Sequence, residues 1–396
     1  MLSPEQLCLL RQDTLGCQDI IHFNNAGSAL QPHTVVRTVQ QYLETEEVKG
    51  GYETASKYQE QLNQFYSEAA KLIGAEPDEI AFMSSASHAW LSALGAIEIP
   101  AGSNIICSDN DYGSNEMALS LLKSKGVQLR VIPSDEQGKV ELNKLEEAVD
   151  QNTALVAMTY LPSCNGLINN IQEMGQLLSD KDCLFLVDAC QAIGHLPVNV
   201  KELGCDLLAA TGRKYLRAPR GTGFLYVKEE LLSELHPSQV DIHGGGMQDD
   251  AVYYAPSAKR FELFEHSPAL KLGLTEALNY ANQLNMKDCY SWLTYLADRL
   301  RFGLKSLNGF EVVDIGENCS GIICGFHKEI DSNSLQAELK THKINVSISE
   351  KSSGYGLFER YGWPDLIRLS VHYYNTEAEV DHCLEIMEQI LISRQS

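Results

Sequence analysis

Between residues 34 and 230 the chain alternates between two hydrophobic periods. Apolar residues spaced three and four positions apart, as on one face of a helix, run over residues 35–43 and 58–72. Helix-like stretches also occupy residues 114–125, 141–149 and 171–179. Short apolar runs of strand length lie at residues 80–83, 104–107, 129–132, 155–159, 184–187, 207–210 and 224–227. Strands that alternate with helices predict an α/β domain around a mostly parallel sheet.

The pattern changes after residue 266. A long helical stretch from Pro268 to about Leu307 leads to a strand-like run, a helix, a second strand and a final helix, at residues 321–326, 334–342, 366–371 and 377–392. This succession is typical of a smaller α+β domain. We therefore expect a large domain over residues 22–265 and a small C-terminal domain over residues 266–396, with residues 1–21 packing near the small domain.

Composition and charge exclude several classes of function. Of 396 residues, 44% are hydrophobic, but no apolar run is long enough to span a bilayer, and the start of the chain lacks the features of a secretory signal. Eleven cysteines occur without CxxC pairs, which favours buried, reduced thiols in a cytoplasmic protein and argues against a zinc site. The formal charge of −22 would repel a phosphate backbone, so we do not expect nucleic acid as a partner. We also expect no membrane partner and no bound metal.

Polar residues follow three of the predicted strands, at the edge where ligands bind in open α/β sheets. Ser84-Ser85-Ala86-Ser87 enters a helix, whose first N–H groups suit a phosphate. Asp188 ends the run at residues 184–187, and Thr211-Gly212-Arg213-Lys214 follows the run at residues 207–210. Each segment alone has an ordinary explanation, as a helix cap or a solvated basic turn. Their combination is what indicates a catalytic site.

The spacing of Asp188 and Lys214, and the Thr-Gly-Arg-Lys context, resemble the class-V aminotransferase family of enzymes that use pyridoxal 5′-phosphate (PLP) and have fold type I. The resemblance covers nearly the whole chain. The motifs that carry it are FNNAG at 23–27, DYGSN at 111–115, PSCNG at 162–166, DACQAIGH at 188–195, KRFE at 259–262 and RLSVHYYNTE at 368–377. Their presence in this order is specific, whereas each motif alone would not be.

The resemblance implies a role for each matching residue. Lys214 would carry PLP covalently and then move a proton at the substrate Cα, and Asp188 would keep the pyridine nitrogen protonated. The resemblance also implies a homodimer and an amino-acid substrate. The remaining residues and their implied partners are Thr211, Arg213, Ala86 (through its backbone N–H) and Ser87 for the phosphate, Tyr112 for ring stacking, Ser163 and Gln191 for the phenolic oxygen, and Asn25 and Arg368 for the substrate, whose carboxylate Arg368 would grip.

Two departures separate the chain from the cysteine desulfurases of this family. Arg213 stands where those enzymes usually have a histidine before the lysine, and residues 347–363 contain no cysteine. The stacking residue Tyr112 and the run after Lys214 are more similar to isopenicillin N epimerase-like proteins and ergothioneine-pathway C–S lyases. We therefore expect a C–S β-lyase that converts a cysteine S-conjugate or sulfoxide to pyruvate and ammonia. An aminotransferase or epimerase is the alternative, and a cysteine desulfurase ranks lower.

Other interpretations stay open at this point. A PLP-binding protein without catalysis would leave every amino acid unchanged, and an ATP-using α/β protein would need a GxxxxGK[ST] motif, which the sequence lacks. Arg217 and Arg220 have no implied role, and we expect them to pair with acidic residues. Substrate selectivity is expected to depend on loops such as residues 50–54, 243–254 and 349–360.

Overall fold

The computed structural model describes residues 1–395. The strands are β1 (Ile21–His22), β2 (Ile80–Met83), β3 (Asn104–Ser108), β4 (Gln128–Ile132), β5 (Thr153–Thr159), β6 (Leu184–Asp188), β7 (Leu207–Thr211), β8 (Gly223–Val227), β9 (Gly245–Gln248), β10 (Ala251–Tyr254), β11 (Phe310–Val312), β12 (Ile322–His327), β13 (Ile344–Asn345), β14 (Ser347–Ser349) and β15 (Leu366–Ser370). The α-helices are α1 (Pro4–Gln12), α2 (His33–Lys49), α3 (Gly51–Lys57), α4 (Gln59–Ile73), α5 (Ala86–Ala96), α6 (Gly113–Leu122), α7 (Leu142–Ala148), α8 (Ile171–Leu178), α9 (Val200–Leu203), α10 (Pro268–Asn282), α11 (Met286–Ser306), α12 (Ser332–Thr341), α13 (Tyr355–Tyr361) and α14 (Glu377–Gln395). Short 3-10 helices lie at Leu15–Gln18, Pro77–Glu79, Lys123–Lys125, Glu229–Leu231, Ala258–Phe261 and Lys351–Ser353.

One large sheet forms the centre of the molecule, with the strand order β2-β8-β7-β6-β5-β3-β4. Neighbouring strands from β7 to β4 are parallel, whereas β8 is antiparallel to both β2 and β7. Every strand of this sheet except β8 therefore points the same way, and their carboxyl ends share one edge. The predicted fold class, a mostly parallel sheet in a larger domain, is confirmed.

The large sheet is buried on both faces, as its nearly continuous apolar strands predict. One hydrophobic cluster joins the sheet to α4, α8 and α10, and a second joins the opposite face to α5 and α6. Helix α4 shows how the sequence directs this packing, because Leu62, Phe65, Ala69 and Ile73 are spaced along one buried face. The helix ends at Gly74, whose φ of 72° is left-handed and favours glycine.

The single long helix expected from Pro268 to about Leu307 is wrong, because two helices occupy this stretch. Helix α10 ends at Asn282 and α11 begins at Met286. Asn285 caps α11, since its side chain accepts hydrogen bonds from the N–H groups of Lys287 and Asp288 at 3.2 and 3.4 Å. Helix α10 packs on the large-sheet side, against α4 and α2. The domain limits proposed from the sequence stay a prediction.

A second, antiparallel sheet with the order β11-β12-β15-β14 forms the centre of the C-terminal part. Helices α11, α12 and α14 pack with it around a separate hydrophobic cluster. The N-terminal segment joins this part of the molecule, because β1 pairs in parallel with β13 and Asn24 forms a bridge with Ser370. Leu10 on α1 packs against Tyr373 and Tyr374. Residues 21–24 therefore join the N-terminal segment to the C-terminal part of the molecule.

The cysteines are all free, and eight of them are buried, with Cys17 and Cys183 half-buried and Cys8 exposed. Burial of most of the cysteine side chains fits their expected role as small hydrophobic residues.

Within residues 1–395, no helix combines the length and the apolar character needed to cross a membrane. The same residues contain no group of three or more metal-binding side chains.

Candidate active site

Most of the residues singled out from the sequence meet in one cleft at the carboxyl edge of the large sheet. The cleft lies where β2, β7, β6 and β5 end, as expected for a ligand site in this class of sheet. The predicted residues that line it are Ala86, Ser87, Tyr112, Ser163, Asp188, Gln191, Thr211, Arg213 and Lys214. Asn25 and Arg368 are not among the residues that line it, although Arg368 contacts the backbone of Ser163.

Asp188 is the last residue of β6, and its side chain is only 6% exposed. One carboxylate oxygen, Oδ1, accepts a hydrogen bond from the Cys190 N–H at 2.9 Å. The other, Oδ2, accepts one from Asn115 Nδ2 at 2.8 Å. Because each oxygen can accept a further bond, the carboxylate is held in place and can still receive a protonated ring nitrogen.

Lys214 follows β7 and faces Asp188 across the cleft. Burial lowers the pKa of its ammonium group to about 8, and the neighbouring Arg213 acts in the same direction. Asp188 acts in the opposite direction and favours the charged form. Within the described part of the chain, no hydrogen bond or ion pair occupies the Lys214 amine. Lys214 is half-buried, and a lysine that is partly neutral near pH 8 and has no fixed partner is well suited to nucleophilic and proton-transfer chemistry.

The first turn of α5 forms a corner of the cleft that suits a phosphate. Ser85 caps this helix by accepting a hydrogen bond from the His88 N–H at 3.0 Å. The N–H groups of Ala86 and Ser87 open the helix and have no carbonyl partner within it, as at any helix start. Gly223 allows β8 to pass close by, because a Cβ there would lie 3.2 Å from the Ala86 nitrogen and 2.5 Å from the Ala210 oxygen.

Thr211 and Arg213 complete this corner from the other side. Thr211 ends β7 directly opposite Gly223 in the strand register. Arg213 is half-buried, and Nη1 donates to the carbonyl oxygen of Gly27. Burial and the charge of the nearby Arg220 lower the pKa of Arg213. A guanidinium beside a helix N-terminus provides the charge and the N–H groups that a phosphate requires.

Two buried polar atoms in the cleft lack a hydrogen-bond partner among residues 1–395: Ser163 Oγ and Gln191 Oε1. Leaving a buried polar atom unpaired costs about 1–3 kcal/mol, so both atoms favour a polar ligand. The Gln191 amide nitrogen donates to the Ala26 carbonyl at 3.2 Å, which holds the side chain at the cleft wall. Together with the phosphate corner, Asp188 and Lys214, these groups fit the polar atoms of PLP.

Arg368 lies on the small sheet, next to the cleft residue Ser163. It lies on β15 and is 8% exposed. Its Nε donates to Ser347 Oγ and its Nη1 to the Ser163 carbonyl, both at 3.0 Å. Within residues 1–395 its Nη2 has no hydrogen-bond partner. The guanidinium is therefore fixed in orientation beside Ser163 and keeps donors for a carboxylate.

Asn25 does not line the cleft, and both its amide nitrogen and its amide oxygen have hydrogen-bond partners elsewhere. Nδ2 donates to the carbonyl oxygens of His22 and Ser370 at 3.0 and 2.7 Å, and Oδ1 accepts from the Tyr374 hydroxyl. These bonds join the N-terminal turn to β15. The proposed contact of Asn25 with substrate stays a prediction.

Residues 350–361, which we call the cover segment, lie beside the cleft on the first turn of α6. Arg360 Nη1 forms an ion pair with Asp109 Oδ2 at 2.6 Å, and Nη2 donates to the Ser134 carbonyl at 2.9 Å. The Gly356 N–H donates to Glu116 Oε1 at 3.5 Å. The cover segment overlaps residues 349–360, one of the loops expected to govern selectivity, and it contacts Asp109 and Glu116 on either side of Tyr112.

The expected pairing of Arg217 and Arg220 with acidic residues is wrong within the described residues. Arg217 is fully buried and donates to the Leu30 carbonyl at 2.8 Å and to Thr14 Oγ1. Its guanidinium also lies over the rings of Tyr280, Tyr373 and Tyr374, which replace a carboxylate as its partners. Arg220 is exposed and forms no ion pair in the part of the chain that the structure describes.

Four residues that line the cleft were missed by the sequence analysis: Asn115, Thr159, Leu161 and Cys190. Asn115 and Cys190 lie inside motifs that were recognised, so the motifs were the available signal. Nothing in the sequence showed that the Asn115 side chain turns back to Asp188, which depends on the start of α6. Cys190 is buried, and burial raises the pKa of its thiol well above the ordinary value.

Comparison with known proteins agrees with this geometry. Residues 21–383 match the family model described as aminotransferase class-V. A probable cysteine desulfurase of Methanothermobacter thermautotrophicus is 27% identical over 398 residues, which cover 96% of this chain and 97% of the relative. Another probable cysteine desulfurase, from Pyrococcus abyssi, is 27% identical with complete coverage of both chains.

Solved structures share the fold. The apo cysteine desulfurase of Thermococcus onnurineus NA1 superposes with a TM-score of 0.90 at 25% identity, covering 99% of both chains. A mutant of the enzyme C-DES, described with glycine covalently linked to its PLP cofactor, gives a TM-score of 0.85 at 19% identity, covering 96% of this chain and 98% of the other. With the family match across nearly its whole length, this chain belongs to the class-V aminotransferase family of PLP-dependent, fold type I enzymes.

Proposed function

We propose that the protein binds PLP through Lys214 and cleaves the Cβ–S bond of a cysteine derivative, releasing a thiol, pyruvate and ammonia. The observation that carries the proposal is the meeting of Asp188, Lys214 and the phosphate corner of α5 in one cleft. Asp188 and Lys214 line the same cleft, so a pyridine ring bound there could contact both. Tyr112 lines the same cleft and would lie against the ring face.

The chain's own residues divide the work. When bound, PLP supplies an electron sink for the pair left at the substrate Cα. Asp188 would hold the positive ring nitrogen, the first turn of α5 and Arg213 would hold the phosphate, and Ser163 would bind the phenolic oxygen of the ring. Lys214 Nζ takes the proton from Cα, which its lowered pKa of about 8 allows near neutral pH.

Arg368 would orient the substrate for this proton transfer. Its two fixed hydrogen bonds leave Nη2 free among the described residues to bind the α-carboxylate beside Ser163. With the carboxylate and the amine held, the Cβ–S bond can be aligned for departure of the sulfur. The overall reaction balances: a cysteine S-conjugate and one water give a thiol, pyruvate and ammonia.

The lyase is favoured over a desulfurase by the placement of the thiols. A desulfurase needs a cysteine that attacks the substrate sulfur. The cover segment contains none. Among the described residues, Cys190 is the cysteine that lines the cleft, and burial raises the pKa of its thiol well above the ordinary value, which keeps it protonated and weakly nucleophilic. The absence of a cysteine from the cover segment and the high pKa of the Cys190 thiol thus favour release of the substrate's sulfur group without transfer to the protein.

Cysteine desulfurase is the second candidate, because the similar proteins from Methanothermobacter thermautotrophicus and Pyrococcus abyssi carry that description. The test is incubation of the holoprotein with cysteine, a cysteine S-conjugate and its sulfoxide, without any 2-oxo acid. Stoichiometric pyruvate from the conjugate or the sulfoxide supports the lyase. Alanine from cysteine, with a protein persulfide, would replace it with the desulfurase.

The same experiment separates the remaining alternatives. Turnover that strictly requires a 2-oxo acid would identify an aminotransferase, and inversion at Cα without a keto product would identify an epimerase. Either result would contradict the lyase. A holoprotein whose PLP absorbance never changes with any amino acid would contradict catalysis altogether.

A homodimer is part of the proposal. Tyr52 on α3 is 78% exposed, and Ile242 and Met247 near the β9–β10 hairpin are 80% and 67% exposed. Tyr52 lines one cavity together with Phe264, which is 44% exposed, and with His243, the residue after Ile242. Exposed apolar patches of this kind are typical of protein interfaces. Light scattering of the purified protein should give twice the monomer mass of 43.9 kDa, and a monomer at micromolar concentration would contradict this assembly.

A further inference from the structure

Asn115 lines the cleft but has no role in the proposed reaction. Its side chain is 4% exposed, and Nδ2 donates to Asp188 Oδ2 at 2.8 Å. The other carboxylate oxygen of Asp188 is bound by a backbone N–H, that of Cys190. Asn115 is therefore a side-chain hydrogen-bond donor to Asp188, and the Cys190 thiol is a second side chain that interacts with this carboxylate.

A closed ring of contacts fixes where Asn115 lies. Thr159 and Asp188 are direct neighbours in the register of β5 and β6. Thr159 Oγ1 accepts a hydrogen bond from the Tyr112 N–H at 3.2 Å, and Tyr112 is the residue before α6. Asn115, in the first turn of α6, then reaches back to Asp188. The start of α6 thus positions both Tyr112, which would stack on the ring, and Asn115, which binds the Asp188 carboxylate.

The chemistry of an amide suits this place. A lysine or arginine there would pair with Asp188 and compete with a positive ring nitrogen, and an acidic residue would repel the carboxylate. A neutral N–H donor orients Asp188 and stabilises its charge without removing it. It also prevents rotation of the carboxylate about its last torsion, which is otherwise broad.

We infer that Asn115 is a positioning residue for the pyridine ring of PLP and acts through Asp188. It holds one carboxylate oxygen towards the ring nitrogen and keeps the proton on that nitrogen. This inference rests on the proposed binding of PLP. Loss of the Asn115 donor makes Asp188 a stronger base and frees it to turn, so the proton moves away from the ring.

The test compares Asn115→Leu, which removes the donor at similar size, with the wild-type holoprotein. Ser114→Ala is the matched control, because Ser114 is the preceding residue of α6, is exposed, and makes no side-chain hydrogen bond in the described part of the chain. The measurements are the dissociation constant of PLP and the ¹⁵N resonance of PLP labelled at the ring nitrogen. Melting temperatures of the apoproteins report any structural effect separately.

We expect the dissociation constant to rise about tenfold in Asn115→Leu, which is the effect of losing one hydrogen bond to a charged group. The ¹⁵N resonance should move from the protonated towards the neutral position, and Ser114→Ala should match wild type in both. If Asn115→Leu does not fold, Asn115→Ala, which only removes atoms, is measured in its place. A lowered melting temperature with an unchanged constant and resonance would overturn the inference. Failure of the wild-type protein to bind PLP would instead overturn the proposed function.

Discussion

Replacing Asp188 by asparagine separates a catalytic carboxylate from a structural one. The Cys190 N–H is two residues away and donates to Asp188 Oδ1 at 2.9 Å, a local turn that asparagine forms equally well. The other contact, from Asn115 Nδ2 to Oδ2 at 2.8 Å, would bring two amide nitrogens together unless the Asn115 amide turns over. The fold should therefore survive, with a loss of about 1–2 kcal/mol in the free energy of unfolding.

The effect on catalysis should be much larger. A carboxylate and a pyridinium about 4 Å apart, at an effective dielectric constant near 20, attract each other by about 4 kcal/mol. At about 1.4 kcal/mol for each factor of ten, a neutral amide should lower kcat on the order of a thousandfold. The assay is pyruvate release from a cysteine S-conjugate, with denaturant unfolding of the same preparation. An Asp188→Asn variant with near wild-type kcat would refute the catalytic role of Asp188 and leave it as a structural residue of the turn that it forms with Cys190.

Three further predictions concern the neighbouring cations. Arg368→Lys should raise KM tenfold or more, because one ammonium cannot keep the bonds to Ser347 and Ser163 and also bind a carboxylate. An equal rise in KM for an amine that lacks the α-carboxylate would contradict this prediction. The rate at which PLP attaches to the apoprotein, followed by absorbance, should rise with pH with a midpoint near 8, because only the neutral Lys214 amine attacks and burial lowers its pKa to about 8. A midpoint near that of an ordinary lysine, about 10.4, would show that Lys214 is not the attacking group. Arg217→Ala should lower the free energy of unfolding by about 3 kcal/mol in denaturant titrations, because it leaves buried oxygens unpaired and removes contacts with three tyrosine rings; wild-type stability would show that these contacts are dispensable.

The large sheet could be predicted because its strands are buried on both faces and so read as continuous apolar runs. The runs at residues 80–83 and 184–187 coincide with β2 and with all but the last residue of β6. The cleft could be predicted because parallel strands end at one edge, which brings the residues after each strand together. Most of the residues that line the cleft could therefore be predicted from the spacing of polar residues after the strands and from the order of the motifs.

The features that the sequence did not predict depend on single capping residues or on tertiary contacts, and neither leaves a periodic pattern in the sequence. The break between α10 and α11 follows from one capping residue, Asn285, inside a stretch that is otherwise helical in character. Arg217 was expected to pair with an acid, but three tyrosines from distant parts of the chain surround it. The bond from Asn115 to Asp188 joins residues that are 73 positions apart.

The central claim is that Lys214 carries PLP, and borohydride reduction tests it most directly. The holoprotein is reduced, digested and mapped by mass spectrometry for the lysine that carries a pyridoxyl group. Lys228 is a suitable internal comparison, because it follows β8 at the opposite end of the sheet and pairs with Asp206. We predict the label on Lys214 and its loss in Lys214→Ala. A pyridoxyl group on Lys228 or on any other lysine would contradict the account.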